Sequence, residues 1–185
     1  LALSSALFAT SYMIYVSRDL AIPTGWLGMV FALGGLGAVI GASAAPSMAL
    51  RFGPGWTMTA GLAATALGAA LVPMAQPQAS LWVAMALLIG QQIIGDAGQS
   101  MHDVHDRTLR QTAVPSELLA RADAGVRTVG QLATLIGAVC GGLVGNAFGV
   151  ASVLWIAVAA SSGAALVSFF RLAERGAVSY THLRA

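Results

Sequence analysis

The chain has 185 residues, of which 57 % are hydrophobic and 9 % charged, and its formal charge is +2. An ordinary soluble domain is roughly a quarter charged, so the expected solvent for most of this chain is lipid. The basic residues are nine arginines and no lysine, scattered rather than gathered on one face, which argues against a nucleic-acid-binding module.

A helix that spans the hydrocarbon core needs about 20 residues. Six apolar stretches approach or reach that length, predicting an all-α membrane protein with six transmembrane helices. The first is 1–17. No charged segment precedes it, so no signal peptide is expected and the chain is read as starting inside a helix. Arg18, Asp19 and Pro23 form the first connection. The second helix, 24–50, ends at the breaker-rich turn Arg51-Phe52-Gly53-Pro54-Gly55. The third, 56–75, stops at Gln76-Pro77-Gln78, and the fourth covers 79–105. A polar connection with Arg107, Arg110 and Arg121 leads to the fifth, 124–148, followed closely by the sixth, 150–170. The bundle is assigned to 1–176. Residues 177–185 resemble a read-through tail and are set aside, together with His182 and Arg184.

Charge fixes an expected orientation. Arg51, Arg107, Arg110, Arg121, Arg127, Arg171 and Arg175 fall on one side of this frame, and Arg18 alone on the other. Cytoplasmic loops retain Arg and Lys, so the arginine-rich side and the C-terminus are expected in the cytoplasm of a bacterial inner-membrane protein. Tyr12, Tyr15, Trp26 and Trp82 lie near the predicted outer ends and Trp56 at an inner end, the headgroup levels that amphipathic rings favour.

The helices differ in polarity. The third and sixth lack ionisable residues and can face lipid. The second carries Gly37 and Gly41, and the fifth Gly137, Gly141 and Gly145, at four-residue spacing; such ladders let another backbone approach closely. Gly37-Ala38-Val39-Ile40-Gly41 recurs as Gly137-Ala138-Val139-Cys140-Gly141, and Phe52-Gly53 recurs as Phe148-Gly149. This echo suggests two three-helix units of opposite membrane orientation, an inverted repeat of the kind found in secondary transporters. Cys140, the single cysteine, reads as a small packing residue.

The fourth helix is the polar one. Gln92, Asp96, Gln99 and Asp103 share one helical face. A carboxylate inside the bilayer costs on the order of 3 kcal/mol. Asp96 therefore reads either as a proton or cation coupling site or as a polar residue satisfied by a wet cavity or a neighbouring helix. Counting about 1.5 Å per residue puts Arg127 level with Asp103, predicting an ion pair at the cytoplasmic mouth. The same counting puts Gln131 and Thr134 level with Asp96 and Gln99, predicting a deeper cavity formed with Gln92. His102, Asp103, His105 and Asp106 make two helical pairs with metal-ligand side chains, but they lie at the expected water boundary without a second cluster, so no metal or other cofactor is assigned. No zinc-protease, phosphate-loop or nucleophile-elbow motif is present. Gly98-Gln99-Ser100 suits an intramembrane serine protease, yet no later membrane histidine supplies its base. The chain is read as non-enzymatic.

Three segments carry a family resemblance: Gly34 to Gly41 with Ala44-Ala45-Pro46 and Arg51-Phe52-Gly53; Leu109-Arg110-Gln111 with Pro115, Leu118-Leu119 and Arg121; and the run Gly137 to Gly149. In these the chain resembles the C-terminal half of a major facilitator superfamily transporter, in the enterobactin-exporter-like branch. It departs from the branch at Ala120, Asp123, His105 and Asp106. The resemblance implies helices seven to twelve of a twelve-helix protein, a missing N-terminal six-helix half as partner, and alternating-access export of a small organic molecule. It also implies gating roles for Arg51, Arg110 and Arg121. The membrane domain of another transporter class is the alternative, and an intramembrane enzyme the more remote one.

Overall fold

The computed structural model describes residues 2–181, with side chains for residues 2–172; the last four residues of the set-aside tail, His182 and Arg184 among them, lie outside the described residues. Every described element is helical. They are α1 (Ala2–Ile14), continued by a π-helical turn (Tyr15–Asp19), α2 (Thr24–Phe52), α3 (Pro54–Met74), α4 (Leu81–Ala113), α5 (Ser116–Phe148) and α6 (Val150–Thr181). Five helices, α2 to α6, are long and apolar enough to cross a membrane. The 13-residue α1 is not among them.

Punctuation by proline and glycine sets the boundaries. Pro23 and Pro115 precede α2 and α5 with nearly the same backbone angles, φ −58°, ψ 137° and φ −54°, ψ 145°, because the ring fixes φ. Gly53 and Gly149 end α2 and α5 with φ +84°, ψ 155° and φ +85°, ψ 153°, a region essentially reserved for glycine. Each glycine follows a phenylalanine and turns the chain directly into the next helix. The Ser80 hydroxyl caps α4 by accepting from the Val83 N–H. Pro46 sits inside α2, as membrane helices tolerate. The π-helical turn shows as a Leu20 N–H bonded to the Tyr15 carbonyl at 3.0 Å, five residues back rather than four.

Three expected boundaries move. α4 runs to Ala113 and α5 begins at Ser116, so the arginine-bearing connection is helical except for Val114 and Pro115. Hydropathy ends a span where charge begins, but a helix continues while its backbone bonds and side-chain pairs hold. Here the Asp106–Arg110 pair, four residues apart, supports the extension. Glu117 sits in the first turn of α5, where its own backbone N–H and the Ser116 hydroxyl hold its carboxyl below the ordinary range. Likewise α6 continues past 170 to Thr181.

Packing divides the helices into two groups. α4 packs on α3 and α2, α1 packs on α5 and α6, and α3 against α6 joins the groups. Exchanging the first three helices with the last three maps this pattern onto itself. The turns obey the same exchange: Pro23 and Pro115 are 92 residues apart, and Gly53 and Gly149 are 96 apart. The pentapeptide echo at a spacing of 100 is thus one helical turn out of register, and Gly41 rather than Gly37 corresponds to Gly137.

The core sits at the end of the bundle that carries Trp26 and Trp82. Val16, Val30, Val72, Leu88 and Leu154 are fully buried there. Tyr12 and Tyr15 belong to this core, not to an interfacial belt; the Tyr15 hydroxyl donates to the Ala75 carbonyl at 2.8 Å. The Trp26 and Trp82 rings meet edge-on at 6.0 Å, and Trp56 meets Phe169 at 5.5 Å near the other end. α3 is the most buried of the five long helices. Half of its span is buried inside the bundle, against 11 % for α5. Absence of charge suits a helix packed on helices as well as one facing acyl chains, so polarity alone does not sort them.

Candidate functional site

Helix α4 is held by glycines on two sides, and this fixes where its polar residues point. A Cβ on Gly37 would lie 2.7 Å from the carbonyl oxygens of Gln92 and Ile93, and one on Gly41 would overlap the Ala97 backbone. On the opposite side, a Cβ on Gly68 would lie 2.6 Å from the Gly95 nitrogen, and one on Gly61 would lie 2.7 Å from the Gly98 carbonyl oxygen. These are backbone-to-backbone contacts that any side chain would separate. Gly34 faces the side-chain ends of Asp96 and Gln92. The glycine ladder of α5 does the corresponding work against α1 more loosely: Gly137 meets Leu3 and Ala6, Gly141 meets Leu7, and Gly145 meets Val153 of α6.

The clamp leaves a cavity of about 340 Å³ between α1, α3, α4 and α6. Its polar lining is Asp96, Gln91 and Gln99 from α4, Ser4 and Ser5 from α1, Thr65 from α3 and Ser161 from α6. Asp96 is half-buried, and among the described residues it makes no ion pair within 4.0 Å. Gln91 is 5 % exposed, and its side-chain oxygen is buried without a hydrogen-bond partner among the described residues. Thr65 donates to the Gly61 carbonyl at 2.9 Å, which leaves the hydroxyl's lone pairs for another partner. The exchange that relates the helix groups also relates this lining. Ser4 and Asp96 are separated by 92 residues and Thr65 and Ser161 by 96, the spacings of the proline and glycine turns. The cavity therefore sits where the two groups meet.

A second polar region lies at the arginine-rich end, in a cleft of about 550 Å³ between α4 and α5. Asp103 accepts from Gln99 Nε2 at 2.9 Å and lies 3.4 Å from His102 Nδ1. Arg110 is paired with Asp106 on its own helix and reaches Asp123 of α5 at 3.5 Å. Arg127 lines the cleft but makes no ion pair among the described residues, so the expected Asp103–Arg127 pair is replaced by Asp103–Gln99 and Arg110–Asp123. Gln131 is exposed on α5, and neither it nor Gln92 lines the Asp96 cavity. Rise per residue fixes the depth of a side chain, while the direction it faces depends on which helices pair, and α4 pairs with α2 and α3. Thr134 instead returns its hydroxyl to the Gly130 carbonyl. Arg51 and Arg121 are exposed and make no ion pair among the described residues.

His102 and His105 are both buried, and His105 Nε2 lies 3.1 Å from the Ala45 carbonyl oxygen of α2. A carbonyl only accepts, so that nitrogen carries the proton. Among the described residues no group of three or more His, Cys, Asp or Glu side chains could hold a metal ion. Sequence reasoning missed Gln91, Ser4, Ser5, Thr65 and Ser161. Only the Gln91-Gln92 dipeptide inside an apolar run signals one of them.

Comparisons with protein-family models, with curated proteins and with solved structures find no match.

Proposed function

We propose that this chain is the C-terminal six-helix half of a major facilitator superfamily secondary transporter, which exports small organic molecules by alternating access and is coupled to the proton gradient through Asp96. One observation carries the reading: a carboxylate without an ion-pair partner, inside a membrane-spanning helix, on a polar cavity where two interchangeable helix groups meet. Intramembrane carboxylates are costly and mark ion pathways, and a site at the junction of two repeats is the arrangement of secondary transporters. The repeated Pro and Phe-Gly turns support an inverted repeat of three plus three helices. The exposed apolar residues of α2 and α5, among them Leu36, Val39, Ile40, Leu132, Leu135, Ile136 and Val139, supply a face for the N-terminal half. The Arg110–Asp106–Asp123 group acts as an inner gate on the cytoplasmic side.

The test uses everted membrane vesicles containing the parent transporter. Asp96→Asn inserts normally and loses at least about tenfold of its pH-gradient-driven flux, the upper end of what one intramembrane contact supplies. Undiminished pH-gradient-driven flux in Asp96→Asn overturns the coupling role.

A further inference from the structure

The cavity around Asp96 has a lining that proton coupling alone does not require. A proton needs one carboxylate, whereas here neutral oxygens share the cavity lining with it: the Gln91 amide and the hydroxyls of Thr65, Ser161 and Ser4. From the structure we infer that this cavity is a binding site for a monovalent alkali cation, with Na⁺ held between Asp96, Gln91, Thr65 and Ser161.

Three observations carry the assignment. The donors are all oxygens, which suits hard cations and not the metals that select imidazole or thiolate. The Gln91 side-chain oxygen is the second, independent sign. It is buried and has no hydrogen-bond partner among the described residues, on a residue 95 % removed from solvent, and leaving such a group unpaired is costly. A cation in the cavity provides the missing partner. Thr65 is prepared for the same role, because its proton is committed to the Gly61 carbonyl and its lone pairs are available.

Charge selects the valence. Asp96 is the only ionisable residue of the lining, and the described spans of α3 and α6 place no basic residue beside it. One negative charge is neutralised by one monovalent ion, whereas a divalent ion would leave an uncompensated positive charge in a low-dielectric setting. The volume, about 340 Å³, holds the ion together with several waters at about 30 Å³ each. The cavity lies between α1, α3, α4 and α6, whereas α2 and α5 carry the broad exposed apolar faces. The ion site is thereby separate from the broad apolar faces assigned to the N-terminal half.

The inference deepens the transporter reading by naming a second ion for the coupling carboxylate, and it is tested without flux. The 185-residue chain in lipid nanodiscs is titrated with radioactive ²²Na⁺ in choline chloride, with helix content checked by circular dichroism. The expected result is saturable binding of one Na⁺ per chain, displaced by unlabelled Na⁺ but not by choline. Binding disappears in Asp96→Asn and weakens about tenfold in Gln91→Leu and in Thr65→Val. The two neutral variants serve if Asp96→Asn does not fold. No saturable binding to the folded chain, or equal binding in Asp96→Asn or in both neutral variants, overturns the site. Absent binding alongside intact proton-driven flux of the parent protein removes this inference and leaves the transporter. Binding without flux does the reverse.

Discussion

The two glycine-bearing helices α2 and α5 occupy equivalent places in the bundle, yet they are packed to different standards. Gly37 and Gly41 of α2 touch the backbone of α4, where no side chain can yield. Gly137, Gly141 and Gly145 of α5 touch mainly side chains of α1 and α6, at distances that open from 2.8 Å to 3.3 Å and 3.5 Å along the helix. The first contact fixes the azimuth of the helix that bears Asp96. The second attaches a helix only 11 % of whose span is buried in the bundle. A repeated sequence thus supplies one rigid joint and one forgiving joint, and the rigid one serves the polar cavity.

Substitutions along both helices break or sharpen this contrast. Gly41→Ala has the largest effect, about 3 kcal/mol, the upper end for inserting a methyl group into a close-packed contact. It is read from reversible unfolding in mixed micelles, and a loss no larger than that of Gly145→Ala would erase the contrast. Gly53→Ala and Gly149→Ala come next and cost equal amounts, about 2 kcal/mol each, because both glycines hold the same glycine-only backbone conformation. Unequal losses would show that the two turns are not equivalent. Asp123→Ala removes the one ion pair that links α4 to α5 among the described residues and costs about 0.5 kcal/mol, as partly exposed pairs do. Its clearer signature is a broader distance distribution between spin labels on the arginine-rich ends of α4 and α5. Gly145→Ala changes stability by less than about 0.5 kcal/mol, since a Cβ there meets Val153 at an ordinary 3.5 Å.

These differences also mark what was legible beforehand. The spans of α2, α3 and the apolar part of α4 follow from run length and from Pro and Gly punctuation, to within a few residues. The ladders at Gly37, Gly41 and Gly137 announce close approach correctly, because small residues at one azimuth have few other uses in lipid. Azimuth itself was not legible. Gln131 and Arg127 have the right depth and the wrong facing, since nothing in their spacing says that α4 pairs with α2 and α3. The continuation of α4 and α5 through their charged ends was missed because hydropathy measures contact with lipid, not helicity. Gln91 was overshadowed by Gln92, its neighbour on the next azimuth. The hydroxyls of Ser4, Thr65 and Ser161 were silent because serine and threonine in membrane helices commonly bond their own backbone.

The π-helical turn at Tyr15–Asp19 has a consequence for how this architecture tolerates length changes. A π-turn is a helix that has absorbed one extra residue. Deleting Ser17 would close it back to regular winding and leave the residues beyond near their present azimuth, because the wide turn already takes up the extra residue. The local loss would fall on the Leu20 N–H bond to the Tyr15 carbonyl, while Pro23 would still launch α2 with its glycine flank toward α4. The segment ahead of Pro23 is therefore a place where a change of one residue is taken up without turning the helix that follows.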